Sequence, residues 1–248
     1  MPDIKPLNET YNKATALEAV DKALSSFYDK LTKKLDTVDI DKVIKKKNVY
    51  LYRAKGINSA AEIVDNILSA FVSSSEETIF GNEFFEPIAI ALSGGQKAMS
   101  EGIDITVEKD NGIYSIAVKS GTSVFNADSR KKQEQNFNAA ARRAQQAHKA
   151  FYPVIGYGYG KKKIREGSVY IELAGQDFWQ WLTGDKDFYI KLIDYMGSRP
   201  DEYLETFKKS YDNALNRMVR DFSNRFCRKD GSINWNKLIQ YNSGTAEG

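Results

Sequence analysis

Asp104 and Lys119 are the pair of residues whose types and placement could do chemistry. They lie in IDITVEKDNGIYSIAVKSG, residues 103–121, where two alternating runs flank Asn111-Gly112. Asn-Gly favours a two-residue type I′ turn, because both residues accept positive φ. With that turn Asp110 pairs with Ile113, Asp104 lies opposite Lys119, and Thr106 lies opposite Ala117. Side chains alternate across a strand, so these four share one face. Ile103, Ile105, Val107, Tyr114, Ile116 and Val118 are then expected on the other face, as core. An acid beside a lysine at one end of a hairpin is either a cross-strand ion pair or half of a metal-dependent nuclease site. The pairing alone leaves both open.

The bulk composition narrows the chemistry. The 248 residues carry a net charge of +3, an ordinary balance for a globular protein, so any basic surface must be local. One cysteine, Cys227, excludes an intramolecular disulfide and any Cys-rich zinc site. One histidine, His148, excludes multi-histidine metal sites, and its polar setting in ARRAQQAHKAF marks it as a surface residue of a helix. No apolar run reaches the length of a membrane span and MPDIKPLNETYNK lacks a signal-peptide pattern, so a cytoplasmic protein is expected.

Around the hairpin the chain alternates helices and strands. Residues 12–35 place Leu17, Val20, Leu24, Phe27, Leu31 and Leu35 at helical spacing. A short lysine-bearing helix over about 39–47 leads to NVYLYRA, read as extended. A third helix is expected from Ser59, its cap, to Val72. Ser75 is read as the cap of another helix that runs to about Ala91, with Pro87 marking a kink or new start inside it. Glu83 and Glu86 are three apart there, hence on one face. SGGQKAMSEG is a glycine-rich loop but not a phosphate loop, since GxxxxGK[ST] spacing fails.

After the hairpin a helix from Ser129 to Ala150 carries Arg130, Lys131, Lys132, Arg142, Arg143 and Lys149, the clearest one-sided basic stretch. Tyr152–Gly158 and Ser168–Ala174 read as strands. Gly156, Gly158 and Gly160 do not make a dinucleotide fingerprint, because no helix follows them. The intervening GKKKIREG either grips a phosphate backbone or is a solvated hairpin tip. Helices follow from Gln176, the longest from Pro200 to Phe226, with a polar, loose tail after Trp235. This order suits one α/β domain over residues 1–248: a helical part to about 75, a core over about 76–197, and a helical part over about 198–240.

An upstream helix with a glutamate, then GIDI, a hairpin ending in VKSG, a turn with Asn126 and a basic helix bearing Gln133 together resemble the PD-(D/E)XK nuclease superfamily. More narrowly they resemble type II restriction endonucleases with the KSG…N form of the motif. The resemblance spans about residues 76–197. It implies an α/β, restriction-endonuclease-like fold: a central mixed β-sheet flanked by helices, with extra helices at both ends.

The resemblance also implies roles. Asp104 matches the metal-binding aspartate, Lys119 the lysine that positions the attacking water, and the Val118 carbonyl a further metal ligand. Glu86, or else Glu83, matches the helix-borne glutamate. Ala117 stands where the second acid belongs, so a helix glutamate must complete the shell. The implied cofactor is Mg²⁺, whose preference for oxygen ligands suits phosphodiester hydrolysis. The implied activity is site-specific cleavage of double-stranded DNA by a homodimer. The alternatives are a repair or junction nuclease and a non-catalytic DNA-binding protein on a degenerate nuclease fold. DNA contacts are expected from the 121–135 segment and the 157–166 loop. The residues concerned are Ser120, Asn126, Arg130, Lys131, Lys132, Gln133, Arg142, Tyr157, Tyr159, Lys161, Lys162 and Lys163.

Overall fold

The computed structural model describes residues 6–163 and 169–245. The part of the basic loop over 164–167, and the start of the second expected strand at Ser168, lie outside the described residues. Two compact units emerge: Met1–Phe27 with Thr78–Pro200, and Tyr28–Glu77 with Asp201–Gly248. No helix among the described residues is long and apolar enough to cross a membrane.

The first unit is built on a five-stranded mixed sheet of order β1-β2-β3-β4-β5. Its strands are β1 (Gln96–Lys97), β2 (Ile105–Lys109), β3 (Gly112–Lys119), β4 (Ala150–Tyr157) and β5 (Ile171–Ala174). β1, β2 and β3 pair antiparallel, whereas β3–β4 and β4–β5 are parallel. Parallel strands cannot be joined by a tight turn. β4 and β5 therefore do not form a hairpin, and the hairpin-tip reading of GKKKIREG falls.

Helix α6 (Ala127–Gln146) covers one face. There Phe137 and Ala140 seal Ala117, Ile155, Tyr157 and Ala174 into a core cluster. Ile103, expected on the opposite face, joins this cluster, because it precedes β2 and is not bound by the strand's alternation. Helices α5 (Glu86–Ser93) and α7 (Gln176–Thr183) contact the sheet strands, and α8 (Phe188–Met196) packs on α7. A methyl group added at Gly156 would lie 2.1 Å from the ring of Phe178, which is fully buried in α7. Gly156→Ala should therefore overpack this joint and cost about 2 kcal/mol, read as a lower urea midpoint at unchanged slope.

The hairpin register differs from the sequence expectation. Lys109 pairs with Gly112 and Ile105 with Ile116, so the turn residues are Asp110 and Asn111, at φ of 49° and 59°. Aspartate and asparagine tolerate the left-handed region that a type I′ turn needs. Gly112 serves another purpose: a side chain there would meet the Tyr152 ring at 2.5 Å. The slip moves each partner by two residues, which preserves the faces because alternation has period two.

Helix α1 (Lys13–Asp36) starts behind Asn12, whose side chain accepts from the N–H groups of Ala14 and Thr15. Helix α4 (Ala60–Phe80) follows Ser59, which accepts from the Glu62 N–H, so that cap stands as read. Ser75 is not a cap. Its hydroxyl bonds the Phe71 carbonyl one turn back, and the helix continues through it. In the second unit NVYLYRA is helical rather than extended: α3 (Val49–Ala54) is capped by Asn48. Helix α2 (Ile40–Ile44) precedes it, and α9 (Arg199–Phe226) matches its expected span. The tail after Trp235 forms α10 (Trp235–Ser243), capped by Asn234 and anchored by Leu238, which is fully buried.

Candidate active site

The last residues of the hairpin bring three groups together. Asp104 Oδ2 accepts from the Val118 N–H at 2.6 Å and lies 3.4 Å from Lys119 Nζ. Lys119 Nζ also donates to the Val118 carbonyl at 3.0 Å. The Asp104 N–H donates to the Ile116 carbonyl at 2.9 Å, which continues the β2–β3 ladder to the aspartate. Lys119 is thus diagonal to Asp104, not opposite it, and its long stem spans the difference. Both side chains remain partly solvent-accessible. A carboxylate and a carbonyl therefore converge on one ammonium group, as two hard oxygen donors spaced to share one cation.

Ala117 lies on this face but is fully buried beneath α6. An acid there would be desolvated in the cluster that holds Phe137 and Ile155. The small apolar residue fits that packing.

The glutamates come from an unusual stretch. Gly81–Phe85 is a π-helical turn between α4 and α5, and the Glu86 N–H bonds the Gly81 carbonyl five residues back. Pro87 has no N–H to give, and the wide turn lets the helix restart with proline in its first turn. Gly81 faces Ser120 at the end of β3, which brings this turn against the hairpin. The π turn also separates the glutamates that helical spacing would put on one face. Glu83 accepts from Ser26 Oγ of α1 at 2.6 Å, whereas Glu86 pairs with Lys97 of β1 at 3.1 Å. Among the described residues no three Asp, Glu, His or Cys side chains form a preassembled metal cage.

Helix α6 spends part of its polar surface on the approach to Asp104. Buried Gln133 donates to the Gly102 carbonyl at 2.7 Å, Lys132 pairs with Glu101 at 3.3 Å, and Arg143 donates to Ser100 Oγ. Asn126 and Ser129 form a reciprocal capping box at the start of the helix. The helix ends at Gln146, so His148 is not helical: it is exposed, at φ 55°, beyond the end.

A second polar cluster lies one strand further along the same face. Tyr157 pairs in register with Lys119 and is fully buried. Its hydroxyl donates to Glu172 Oε1 at 2.6 Å. The same oxygen takes Arg130 at 3.0 Å and Lys162 at 2.7 Å, and Arg130 also donates to Tyr170. Burial alone would raise the pKa of Glu172 and is its largest single influence. The bonds from Lys162, Tyr157 and Arg130 together outweigh it and hold the carboxyl below its ordinary value. Burial, reinforced by Glu172, pushes the Tyr157 phenol well up, so it stays a donor.

Of the residues assigned to DNA, Arg130 and Lys162 thus turn inward as partners of Glu172, and Tyr157 and Gln133 are buried. Lys131, Lys132, Arg142, Lys161, Lys163 and the Tyr159 ring are exposed, and Ser120 is half-buried against Gly81. Sequence reasoning passed over Glu172 and Lys97. For Glu172 one signal was present, a lone acid inside the apolar run VYIELA. The family model described as Type II restriction endonuclease EcoO109I matches residues 15–203, and no curated protein matches the chain. The chain belongs to that family.

Proposed function

We propose that this member of the type II restriction endonuclease family of EcoO109I hydrolyses phosphodiester bonds in double-stranded DNA with Mg²⁺. Asp104, the Val118 carbonyl and Lys119 would be its catalytic centre. The observation that carries the reading is the convergence of the Asp104 and Val118 oxygens on a single ammonium. Those oxygens are the kind of donor Mg²⁺ takes, and Glu86, which pairs with Lys97, is the helix acid we assign to complete the shell. When bound, the metal would polarise the scissile phosphate and lower the pKa of a coordinated water.

The chain's own residues would do the rest. Asp104 is fixed by the Val118 N–H, which keeps its carboxylate beside the start of β2. Lys119 adds positive charge where the phosphate becomes more negative and holds the attacking water by its N–H groups. Lys131, Arg142, Lys161 and Lys163 are exposed cations suited to the DNA backbone. A homodimer is the assembly we propose, since a two-fold DNA site is matched by two-fold protein symmetry.

Incubation with plasmid DNA tests the reading. Discrete fragments are expected with Mg²⁺ and none in EDTA. Binding without cutting under both conditions would instead support a non-catalytic DNA-binding protein. Glu86→Gln should slow cleavage about a hundredfold or more, whereas Glu83→Gln, whose partner is Ser26, should leave it within about tenfold. The reverse order would move the third ligand to Glu83.

A further inference from the structure

A lysine pairs with the glutamate assigned to the proposed metal site. Lys97 lies in β1, and the next residue, Ala98, donates its N–H to the Asp104 carbonyl at 2.9 Å. Lys97 is therefore carried beside the start of β2. Its Nζ reaches Glu86 Oε1 at 3.1 Å, where the glutamate side chain is 16% exposed and the lysine 74%. One exposed ammonium in β1 thus holds the Glu86 carboxylate of α5.

Carboxylates that face one another repel unless a cation lies among them. Lysine suits a cation that must leave again: it is a point charge on a flexible stem, and its exposed head rehydrates at little cost. We propose that Lys97 is the resident counter-ion of the candidate metal site, holding Glu86 in the metal-free protein and swinging into solvent when a divalent cation binds. This rests on the reading of Asp104, Val118 and Glu86 as metal ligands.

Metal binding without DNA separates the possibilities. Calorimetric titration with Mn²⁺ would compare the wild-type chain with Lys97→Met, Lys97→Arg and Asp104→Ala. Lys97→Met removes the competitor and should bind Mn²⁺ about fivefold tighter, the scale of an exposed ion pair. Lys97→Arg keeps a competing cation and should stay within about twofold of wild type. Asp104→Ala should lose the binding. Equal or weaker binding by Lys97→Met, with binding lost in Asp104→Ala, would overturn the counter-ion role and leave the metal site standing. Binding that survives Asp104→Ala would overturn the metal site and the counter-ion with it.

Discussion

Asp104→Asn is expected to abolish Mg²⁺-dependent DNA cleavage while leaving the protein folded. The amide keeps an oxygen that can accept the 2.6 Å bond from the Val118 N–H, so the end of the hairpin stays closed. It loses the charge that a divalent cation requires. The expected loss is at least about a thousandfold in single-turnover rate, the combined effect of losing a metal ligand and a preorganised charge. Lys119→Met should cost about a hundredfold to a thousandfold, since it removes charge stabilisation but no metal ligand. Thermal unfolding of both variants should stay close to wild type, because the 3.4 Å Lys119–Asp104 pair is partly solvated and such pairs add little stability. Cleavage by Asp104→Asn at a wild-type rate would remove the hairpin from the active centre.

The second large effect is expected at Glu172 and on stability. Glu172→Gln keeps the shape of the side chain but leaves Arg130 and Lys162 beside a neutral group. Breaking a buried ion cluster on one side costs several kcal/mol, and partial exposure of Arg130 places this case at about 3 kcal/mol. The pH dependence has a definite sign. The folded pKa of Glu172 is lowered, so its stabilisation is fully present above the unfolded value of about 4.3 and is lost as pH falls through the folded value. Urea unfolding at neutral pH should show the full deficit of Glu172→Gln, and the gap from wild type should narrow in acid. A gap of constant size down to strongly acidic pH would mean that the carboxylate charge contributes nothing there. The cluster joins the first turns of α6 to Lys162 beyond β4, so the exposed cations Lys131, Lys132, Lys161 and Lys163 flank residues that are anchored inward.

Much of the centre could be read along the chain because it depends on short-range rules. Strand alternation has period two, so Asp104 and Lys119 share a face under either register, and the error over Asn111-Gly112 did not separate them. Helix α1 followed from apolar spacing, and the starts expected for α6 and α9 fall within two residues of the observed ones. Short segments resisted. NVYLYRA and the stretch after Trp235 are too brief for periodicity to declare a helix, and it is packing that orders them around Val49 and Leu238.

What the sequence by itself determined is the pair of opposite charges at the end of a hairpin, the glutamates upstream and the basic helix behind. These follow from residue types and local spacing. What only the tertiary structure decided is which of these groups meet. The π turn before Pro87 sends Glu83 to Ser26 and Glu86 to Lys97, and α6 buries Ala117 at the position the motif gives to an acid. Glu172 draws Arg130 and Lys162 inward from segments that read as DNA-facing. The physical reason is that burial and pairing depend on neighbours distant in sequence, whose desolvation and hydrogen bonds outweigh any local preference.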